Sequence, residues 1–221
     1  MRPTTTEVGL VSKLKLDPHI GPTESYNEQH VEALDRGPSA ISELAPDGPY
    51  LGTYYLPDAP LRAKLTLPHE PGTVLVIKGR VWGNDTRDPL PRAKLDVWHA
   101  DATGHYDNEN EGQQSESQFL NRARVYTDQG GYYEFETIHP GPYERPASEG
   151  IIWRAPHIHF RVRCPGYENL VTQIFFTGDS YHDVDPFLKA SLVIKLETKQ
   201  RNGKDYEEGI FDIVMRPDSQ T

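Results

Sequence analysis

The chain has a single cysteine, fewer basic than acidic residues, and no long hydrophobic run. One cysteine, Cys164, excludes a disulfide within these 221 residues and agrees with a reducing compartment, so we expect a cytoplasmic protein. With 33 acidic and 23 basic residues, the net charge of −10 gives no electrostatic reason to bind nucleic acid or an anionic membrane. No stretch approaches the roughly 20 apolar residues of a membrane-spanning helix, and the first residues lack the apolar segment of a signal peptide. We therefore expect a globular protein with one well-buried core.

The sequence changes in character after residue 47. The first 47 residues are polar and irregular, with one helix candidate at residues 24–36 that Gly37 and Pro38 would end. They are predicted to form an N-terminal arm, a candidate for oligomerisation. Eight later runs are rich in β-branched and aromatic residues and are separated by turn-forming residues. These predicted strands are residues 73–82, 93–100, 122–127, 131–137, 157–163, 170–177, 191–197 and 208–215. Short strands without long helices between them predict a mainly β fold, an antiparallel β-sandwich.

The segment WRAPHIHFRV, residues 153–162, places two histidines one residue apart within a predicted strand. Alternate residues of a strand point to the same side, so His157 and His159 share one face, and Ile158, Phe160 and Val162 share the other. Two imidazoles on one face form half of a metal site. The alternative is a strand with two partly buried, hydrogen-bonded histidines, and the pair alone does not decide between these interpretations.

The residues that complete the site would decide which metal it holds. A carboxylate would complete a two-histidine Fe(II) site, and His105, His139 or His182 would complete a zinc site. Tyrosine is a hard anionic ligand that suits Fe(III). Tyr106 follows the strand 93–100, and Tyr143 lies in IHPGPY after the strand 131–137, so both are predicted in loops at strand ends. All three kinds of site stay open at this point.

Five segments, in this order and spacing, resemble the intradiol ring-cleavage dioxygenases, which are non-haem Fe(III) enzymes that open catechols between their two hydroxyls. The segments are GPYLGTYYLPDAP (48–60), GRVWGNDTRDPLPRAKLDVWHADATGHY (79–106), TDQGGYYEFETIHPGPY (127–143), WRAPHIHF (153–160) and VTQIFFTGD (171–179). The resemblance implies a catalytic domain over residues 48–221 with a prealbumin-like sandwich core. It also implies that O2 converts a catecholic substrate to a cis,cis-muconate-type diacid.

The resemblance assigns roles to particular residues. The positions that match the family's Fe(III) ligands are Tyr106, Tyr143, His157 and His159. Tyr143 would also act as a base toward the substrate, Arg154 would stabilise the anionic substrate, and Gln173 would lie near the oxygen-binding side. The family commonly reads arginine, proline, alanine before the first histidine, whereas this chain reads Arg154, Ala155, Pro156. The exchange raises the question of where the guanidinium points.

The substrate is narrowed only to a protocatechuate, hydroxyquinol or catechol-like diol. Thirteen residues separate Tyr143 from His157, and this short spacing resembles the protocatechuate branch. The candidate substrate-binding residues are Leu51, Tyr54, Tyr55, Glu144, Arg145 and Arg154. Glu144 is unfavourable for a carboxylated substrate, so either Arg145 compensates for its charge or the substrate is neutral, such as hydroxyquinol or catechol.

Two alternatives and a set of partners complete the expectations. A metal-free prealbumin-like binding module would share the sandwich, since a fold alone does not give function. Another histidine-metal enzyme, such as an Fe(II) extradiol-type dioxygenase, would share the histidine pair. The expected partners are an aromatic diol and O2, together with further copies of the chain in a dimer or larger assembly. An iron-free partner chain of the protocatechuate type stays open.

Overall fold

The computed structural model describes residues 14–25, 51–52, 54–109, 119–147 and 150–219, and most of these lie in or between β-strands. The strands are Val74–Gly83 (β1), Lys94–Trp98 (β2), Arg122–Tyr126 (β3), Tyr132–Ile138 (β4), Tyr143–Ala147 (β5), Gly150–Arg154 (β6), His157–Arg163 (β7), Leu170–Phe176 (β8), Val193–Ile194 (β9), Leu196–Arg201 (β10), Lys204–Ile210 (β11) and Ile213–Met215 (β12). One short 3-10 helix, Ala190–Leu192, precedes β9. Among the described residues, no helix is long and apolar enough to cross a membrane.

The strands form two sheets and a separate hairpin. One sheet has the order β10, β11, β1, β4, and β12 continues along the β11 side of β1. The other has the order β3, β2, β7, β8, β9, and β5 pairs with β6 in a two-stranded hairpin. The predicted β-sandwich is confirmed, but its sheets are mixed: β1 runs parallel to β11 and β12, and β8 runs parallel to β9.

The core lies between the inner faces of the two sheets. It is built from alternate apolar residues that are fully or almost fully buried, including Leu75, Ile77, Tyr133 and Phe135 from one sheet and Leu95, Val97, Ile158, Phe160, Val162 and Ile174 from the other. Each such side chain contributes about 1.5–3 kcal/mol when it is fully removed from water. The sheet that carries β7 therefore has a fixed inner face, and its outer face is available for a second layer of structure.

The predicted strand 208–215 is interrupted, although its register against β1 is the same on both sides of the interruption. β11 ends at Ile210 and β12 begins at Ile213. Between them, the Asp212 carboxylate replaces a backbone acceptor and receives the Arg80 amide hydrogen at 2.7 Å. The backbone also approaches β1 so closely that a Cβ on Gly79 would lie 1.9 Å from the Phe211 carbonyl oxygen.

The β5–β6 hairpin is absent from the predicted strands. Its segment YERPASEG contains proline, glycine and charged residues that are uncommon in strands, so its local sequence does not indicate β structure. As a result Tyr143, predicted in a loop, is the first residue of β5, and Arg154 is the last residue of β6. The two residues are paired across the hairpin.

Only part of the predicted N-terminal arm is described. The helix candidate at residues 24–36 lies outside the described residues apart from its first two positions, and the boundary at residue 47 stays a prediction. Within residues 14–25, Leu16 is buried against Trp82 and Val214. The Thr23 amide donates to the Val214 carbonyl oxygen at 3.0 Å, so this stretch packs on the end of the sheet that contains β1.

Candidate metal centre

The two histidines lie on the outer face of β7, opposite the core residues. His157 and His159 are both buried, and their Nε2 atoms are 3.1 Å apart. Neighbouring strands supply the residues beside them: Trp98 of β2 and Gln173 of β8 are both in register with His159. The His159 ring stacks on Trp98 with centroids 4.8 Å apart and planes 2° from parallel. Packing thus fixes the orientation of the imidazole.

The hydrogen bonds of His157 leave its Nε2 as a lone-pair donor. Its Nδ1 lies 2.6 Å from the carbonyl oxygen of Ala155, and because a carbonyl only accepts, Nδ1 carries the proton. Metal-binding histidines are commonly oriented in this way. Burial lowers the pKa of both His157 and His159 well below the usual value, and the nearby Arg154 lowers it further. Both rings are therefore neutral, the form that binds metals.

Tyr143 lies beside the histidine pair, and Tyr106 packs against Tyr143. The Tyr143 hydroxyl lies 3.4 Å from Nε2 of His157, and the two tyrosine rings meet edge to face with centroids 5.5 Å apart. The Tyr106 hydroxyl is buried and interacts with Tyr143. Burial raises the pKa of Tyr106 well above its usual value, and Tyr143 raises it further. A nearby multivalent cation would reverse this shift by stabilising the phenolate.

Two interlocking glycine loops position these tyrosines. Gly104 and Gly141 each stand two residues before a tyrosine, and the Gly141 amide donates to the Asp101 carbonyl oxygen at 2.8 Å. A Cβ on Gly104 would lie 2.2 Å from the Pro142 carbonyl oxygen, and one on Gly141 would lie 2.5 Å from the Ala102 carbonyl oxygen. Gly104 also has a φ of +89°, which glycine adopts without strain. The absence of side chains at both positions lets the two loops touch.

The Arg154 guanidinium points toward the tyrosine and histidine cluster. Its Nη2 donates to Oε1 of Gln173 at 2.6 Å, and its carbon lies 5.9 Å from the centre of the Tyr143 ring. Since arginine only donates, the Gln173 amide oxygen faces Arg154, and the buried Nε2 of Gln173 has no partner among the described residues. A buried donor without a partner is costly and indicates a site for a ligand.

The donor set fits ferric iron better than the alternatives. Among the described residues, no group of three or more His, Cys, Asp or Glu side chains is arranged to hold a metal. His139 is engaged by Glu207 at 2.6 Å and Asp179 at 2.9 Å, while His105 is exposed beside Thr103. Among the described residues, the arrangement therefore offers neither a three-histidine zinc site nor a two-histidine, one-carboxylate site. Two neutral imidazoles and two phenols that can ionise suit a hard, highly charged cation.

The predicted substrate-binding residues divide into two groups. Tyr54 stacks on Tyr106 with centroids 4.2 Å apart, and Leu51 belongs to the same buried cluster as Tyr106 and Tyr143. Arg145 is buried and, two residues after Tyr143 on β5, lies on the same face of the strand. These three residues adjoin the candidate centre.

Two other predicted residues contribute differently. Tyr55 packs in the same buried cluster, but its hydroxyl donates to the Asp96 carboxylate at 3.2 Å. Glu144 is exposed on the other face of β5, so the structure does not bring it together with Tyr143 and Arg145. The unfavourable charge that the sequence suggested beside Tyr143 is directed away from the centre.

Several residues at the centre were not identified from the sequence. Asp185 pairs with Arg154 through Nε at 3.0 Å, and the Phe187 ring lies 4.4 Å from the guanidinium carbon. Arg122 is buried against Asp107 at 2.8 Å and lies 5.7 Å from the Tyr106 ring centre. Asp185 is 31 residues from its partner, and the segment HDVDPF offers no periodicity that distinguishes it from Asp183. No local signal marks it.

Comparison with known proteins places this chain in a known family. The family model described as Dioxygenase matches residues 48–217. A chlorocatechol 1,2-dioxygenase from Rhodococcus opacus is 30% identical over 212 residues, which cover 87% of this chain and 79% of that enzyme. A 6-chlorohydroxyquinol 1,2-dioxygenase from Cupriavidus pinatubonensis is 37% identical over 156 residues, which cover 66% of this chain but only 55% of the relative. Against that relative, the chain thus spans little more than half the length.

Solved structures agree with the sequence relatives. The crystal structure of 3-chlorocatechol 1,2-dioxygenase from Rhodococcus opacus 1CP superposes with a TM-score of 0.69 at 27% identity, covering 77% of this chain and 72% of that one. The hydroxyquinol 1,2-dioxygenase from Pseudomonas putida DLL-E4 gives a TM-score of 0.66 at 26% identity, covering 78% of this chain and 66% of that one. The similarity therefore includes the fold as well as the sequence.

Proposed function

This chain belongs to the intradiol ring-cleavage dioxygenase family, and we propose that it cleaves a catecholic ring between its two hydroxyls with O2. We further propose that Tyr106, Tyr143, His157 and His159 hold a ferric ion. The observation that carries the proposal is the convergence of four donors from three separate elements: the loop after β2, the start of β5, and β7. A structural role alone would not require neutral imidazoles that face a pair of buried phenols.

The bound metal would supply Lewis acidity, which lowers the pKa of coordinated phenols and catechols and orients the diol. The protein residues supply the rest of the chemistry. Tyr143, as a phenolate, is placed to accept a proton from one catechol hydroxyl. Arg154 directs its guanidinium toward the region where negative charge accumulates in the ring, an interaction that is strongest in the transition state. The Nε2 of Gln173, which has no partner among the described residues, would offer a further hydrogen-bond donor to the substrate.

The proposed substrates are catechol, hydroxyquinol and protocatechuate or close derivatives. The buried Leu51 and Trp98 and the partly buried Tyr54 suit the faces of a single aromatic ring. Arg145 would tolerate a polar or acidic ring substituent because it is buried on the same face of β5 as Tyr143. The relatives named above act on chlorocatechol and chlorohydroxyquinol. We propose a cytoplasmic homodimer or larger assembly as the working form.

A colour and product assay tests the proposal. The iron-loaded protein should be reddish from tyrosinate-to-Fe(III) charge transfer. Each catechol consumed should take up one O2 and give a muconate-type product that is followed by its ultraviolet absorbance. A matched control substrate, 2-methoxyphenol, cannot lose two protons and should be inert. Tyr143→Phe should retain iron and lower kcat by about 100-fold, the typical contribution of a positioned base.

The alternatives predict different results in the same assay. A yellow semialdehyde product would indicate extradiol cleavage and contradict the proposed site. A protein that stays colourless with iron and takes up no O2 with any diol would favour a metal-free binding module.

A further inference from the structure

Asp185 is a buried carboxylate near the candidate centre that accepts several hydrogen bonds. Its side chain is fully buried, and its two oxygens accept from three donors. The Arg154 Nε–H donates to both oxygens at 3.2 and 3.0 Å, the Ala155 amide donates to Oδ2 at 2.8 Å, and the Phe187 amide donates to Oδ1 at 2.9 Å. A buried carboxylate with this many charge-assisted and backbone bonds holds its partners in one geometry.

The charged partner of Asp185 is the Arg154 guanidinium, which three side chains contact. Asp185 binds its Nε edge, Gln173 accepts from Nη2 at 2.6 Å, and Phe187 lies under the plane at 4.4 Å from the central carbon. These contacts come from the segment after β8 and from β8 itself. Arginine has considerable rotamer freedom, and a guanidinium that must meet developing charge performs best when it is already ordered.

The same carboxylate is also linked to the histidine pair. It accepts from the Ala155 amide, and the Ala155 carbonyl oxygen in turn accepts from Nδ1 of His157 at 2.6 Å. One residue, Ala155, thus links Asp185 to the ring nitrogen that sets the tautomer of His157. The carboxylate fixes the short turn between β6 and β7 as well as the arginine that precedes it.

We infer that Asp185 is a positioning residue for ring cleavage: it orders Arg154 in the geometry that stabilises the charged substrate. The inference rests on the proposed function for its catalytic consequence, whereas its structural part concerns Arg154 alone. Asp185 touches no reacting atom and works through another residue. Its removal should therefore lower turnover more than it lowers substrate binding, since the arginine interaction is greatest in the transition state.

Kinetics of Asp185→Asn form the first test. We expect kcat to fall about 10- to 100-fold, up to the loss seen when a single preorganised transition-state donor is removed, with less than a threefold change in KM. The visible band of the iron-loaded protein should keep its position because all four proposed ligands are intact. Glu208→Gln is the matched control, since it neutralises a carboxylate bonded to Lys78 at 2.6 Å on the other sheet. That variant should keep kcat within twofold, and an equal loss there would overturn the inference.

A double-mutant cycle separates positioning from general stabilisation. If Asp185 acts through Arg154, then adding Asp185→Asn to Arg154→Met should change kcat by less than twofold. The double variant also leaves no unpaired buried charge, so it keeps the test available if a single variant folds poorly. A further tenfold loss in the double variant would show that Asp185 acts independently of Arg154.

A measurement without iron or substrate distinguishes failure of this inference from failure of the proposed function. In iron-free protein with 15N-labelled arginine, the Arg154 Nε–H should give a resolved, exchange-protected resonance that is lost in Asp185→Asn. If catechols are not cleaved but this resonance behaves as expected, the proposed function is wrong, whereas the inference that Asp185 orders Arg154 is supported. If the resonance is equally protected in the variant, Asp185 does not order Arg154.

Discussion

On its inner face β7 presents Ile158, Phe160 and Val162 to the core, whereas on its outer face it presents His157 and His159 to the candidate centre. All five side chains are at most 5% exposed. The inner face is buried by the hydrophobic effect, which stabilises the fold roughly in proportion to the apolar area removed from water. Burial of the outer face removes polar imidazoles from water, which costs free energy. The same burial lowers the pKa of both imidazoles and keeps them neutral. Equal burial therefore has opposite thermodynamic meaning on the two faces.

This difference separates stability from function along a single strand. Substitutions on the inner face should destabilise the protein without altering the donor set. Substitutions on the outer face should abolish metal binding and turnover while the sandwich survives, because the outer groups contribute little net stability. The predictions below test this separation.

The largest effect is expected for His159→Ala. Loss of one of four proposed ligands should remove the tyrosinate charge-transfer band and lower kcat/KM by more than about 10³-fold, or about 4 kcal/mol of transition-state stabilisation. His19→Ala, on an exposed histidine of residues 14–25, is the control and should leave both properties unchanged. Retention of the band in His159→Ala would show that this histidine is not a ligand.

The complementary change is Phe160→Ala. Truncation of this fully buried aromatic should lower the free energy of unfolding by about 3–5 kcal/mol, because transfer and cavity terms add. The visible band of the folded, iron-loaded variant should keep its position. Ile151→Ala, at an exposed apolar position, should cost less than about 0.5 kcal/mol in the same urea titration. A loss below about 1 kcal/mol for Phe160→Ala would contradict the assignment of this face as the stabilising one.

A third buried histidine differs from the pair on β7 because both of its ring nitrogens have protein hydrogen-bond partners. His99 follows β2, donates through Nδ1 to the Ala100 carbonyl oxygen at 2.7 Å, and accepts at Nε2 from the Thr137 hydroxyl at 2.6 Å. Burial lowers its pKa from 6.5 to about 4. Because the neutral ring is favoured by folding, its stability contribution is complete above pH 6.5 and is lost as the pH falls toward 4, by about 3 kcal/mol.

Replacement of this histidine gives the measurement. His99→Gln should flatten the dependence of the unfolding free energy on pH between 6.5 and 4 and leave the visible band unchanged. An unaltered slope would mean that His99 is not buried as a neutral ring.

The features of the candidate centre that follow from the two-residue alternation of a strand were predictable from the sequence. The alternation of β7 follows from its own residues, so the shared face of His157 and His159 could be predicted without the partner strands. Tyr106 was predicted in a loop at a strand end and lies in the loop after β2. A two-residue period is a local property, and it survives any tertiary arrangement that buries one face.

The remaining parts depend on long-range contacts that leave no local trace. The β5–β6 hairpin forms although Pro146 and its charged neighbours disfavour a strand, and the pairing of Tyr143 with Arg154 is not indicated by the local sequence. Asp185 is brought to Arg154 by the chain that follows β8, and nothing in its own segment indicates that contact. Asp212 ends β11 by replacing a backbone acceptor, which no periodicity predicts.

The smallest effect is expected on β5, where the same alternation divides Arg145 from Glu144. Arg145 is buried on the Tyr143 face, so Arg145→Met should lower kcat/KM for protocatechuate relative to catechol by about 10-fold, the equivalent of about 1.4 kcal/mol. Glu144→Gln, on the exposed face, should change neither value by more than twofold. Equal losses for both substrates in Arg145→Met would assign this arginine to the support of β5. A selectivity change in Glu144→Gln alone would show that the face of β5 turned away from Tyr143 recognises the ring substituent. The two faces of β5 would then not have the separate roles proposed for them.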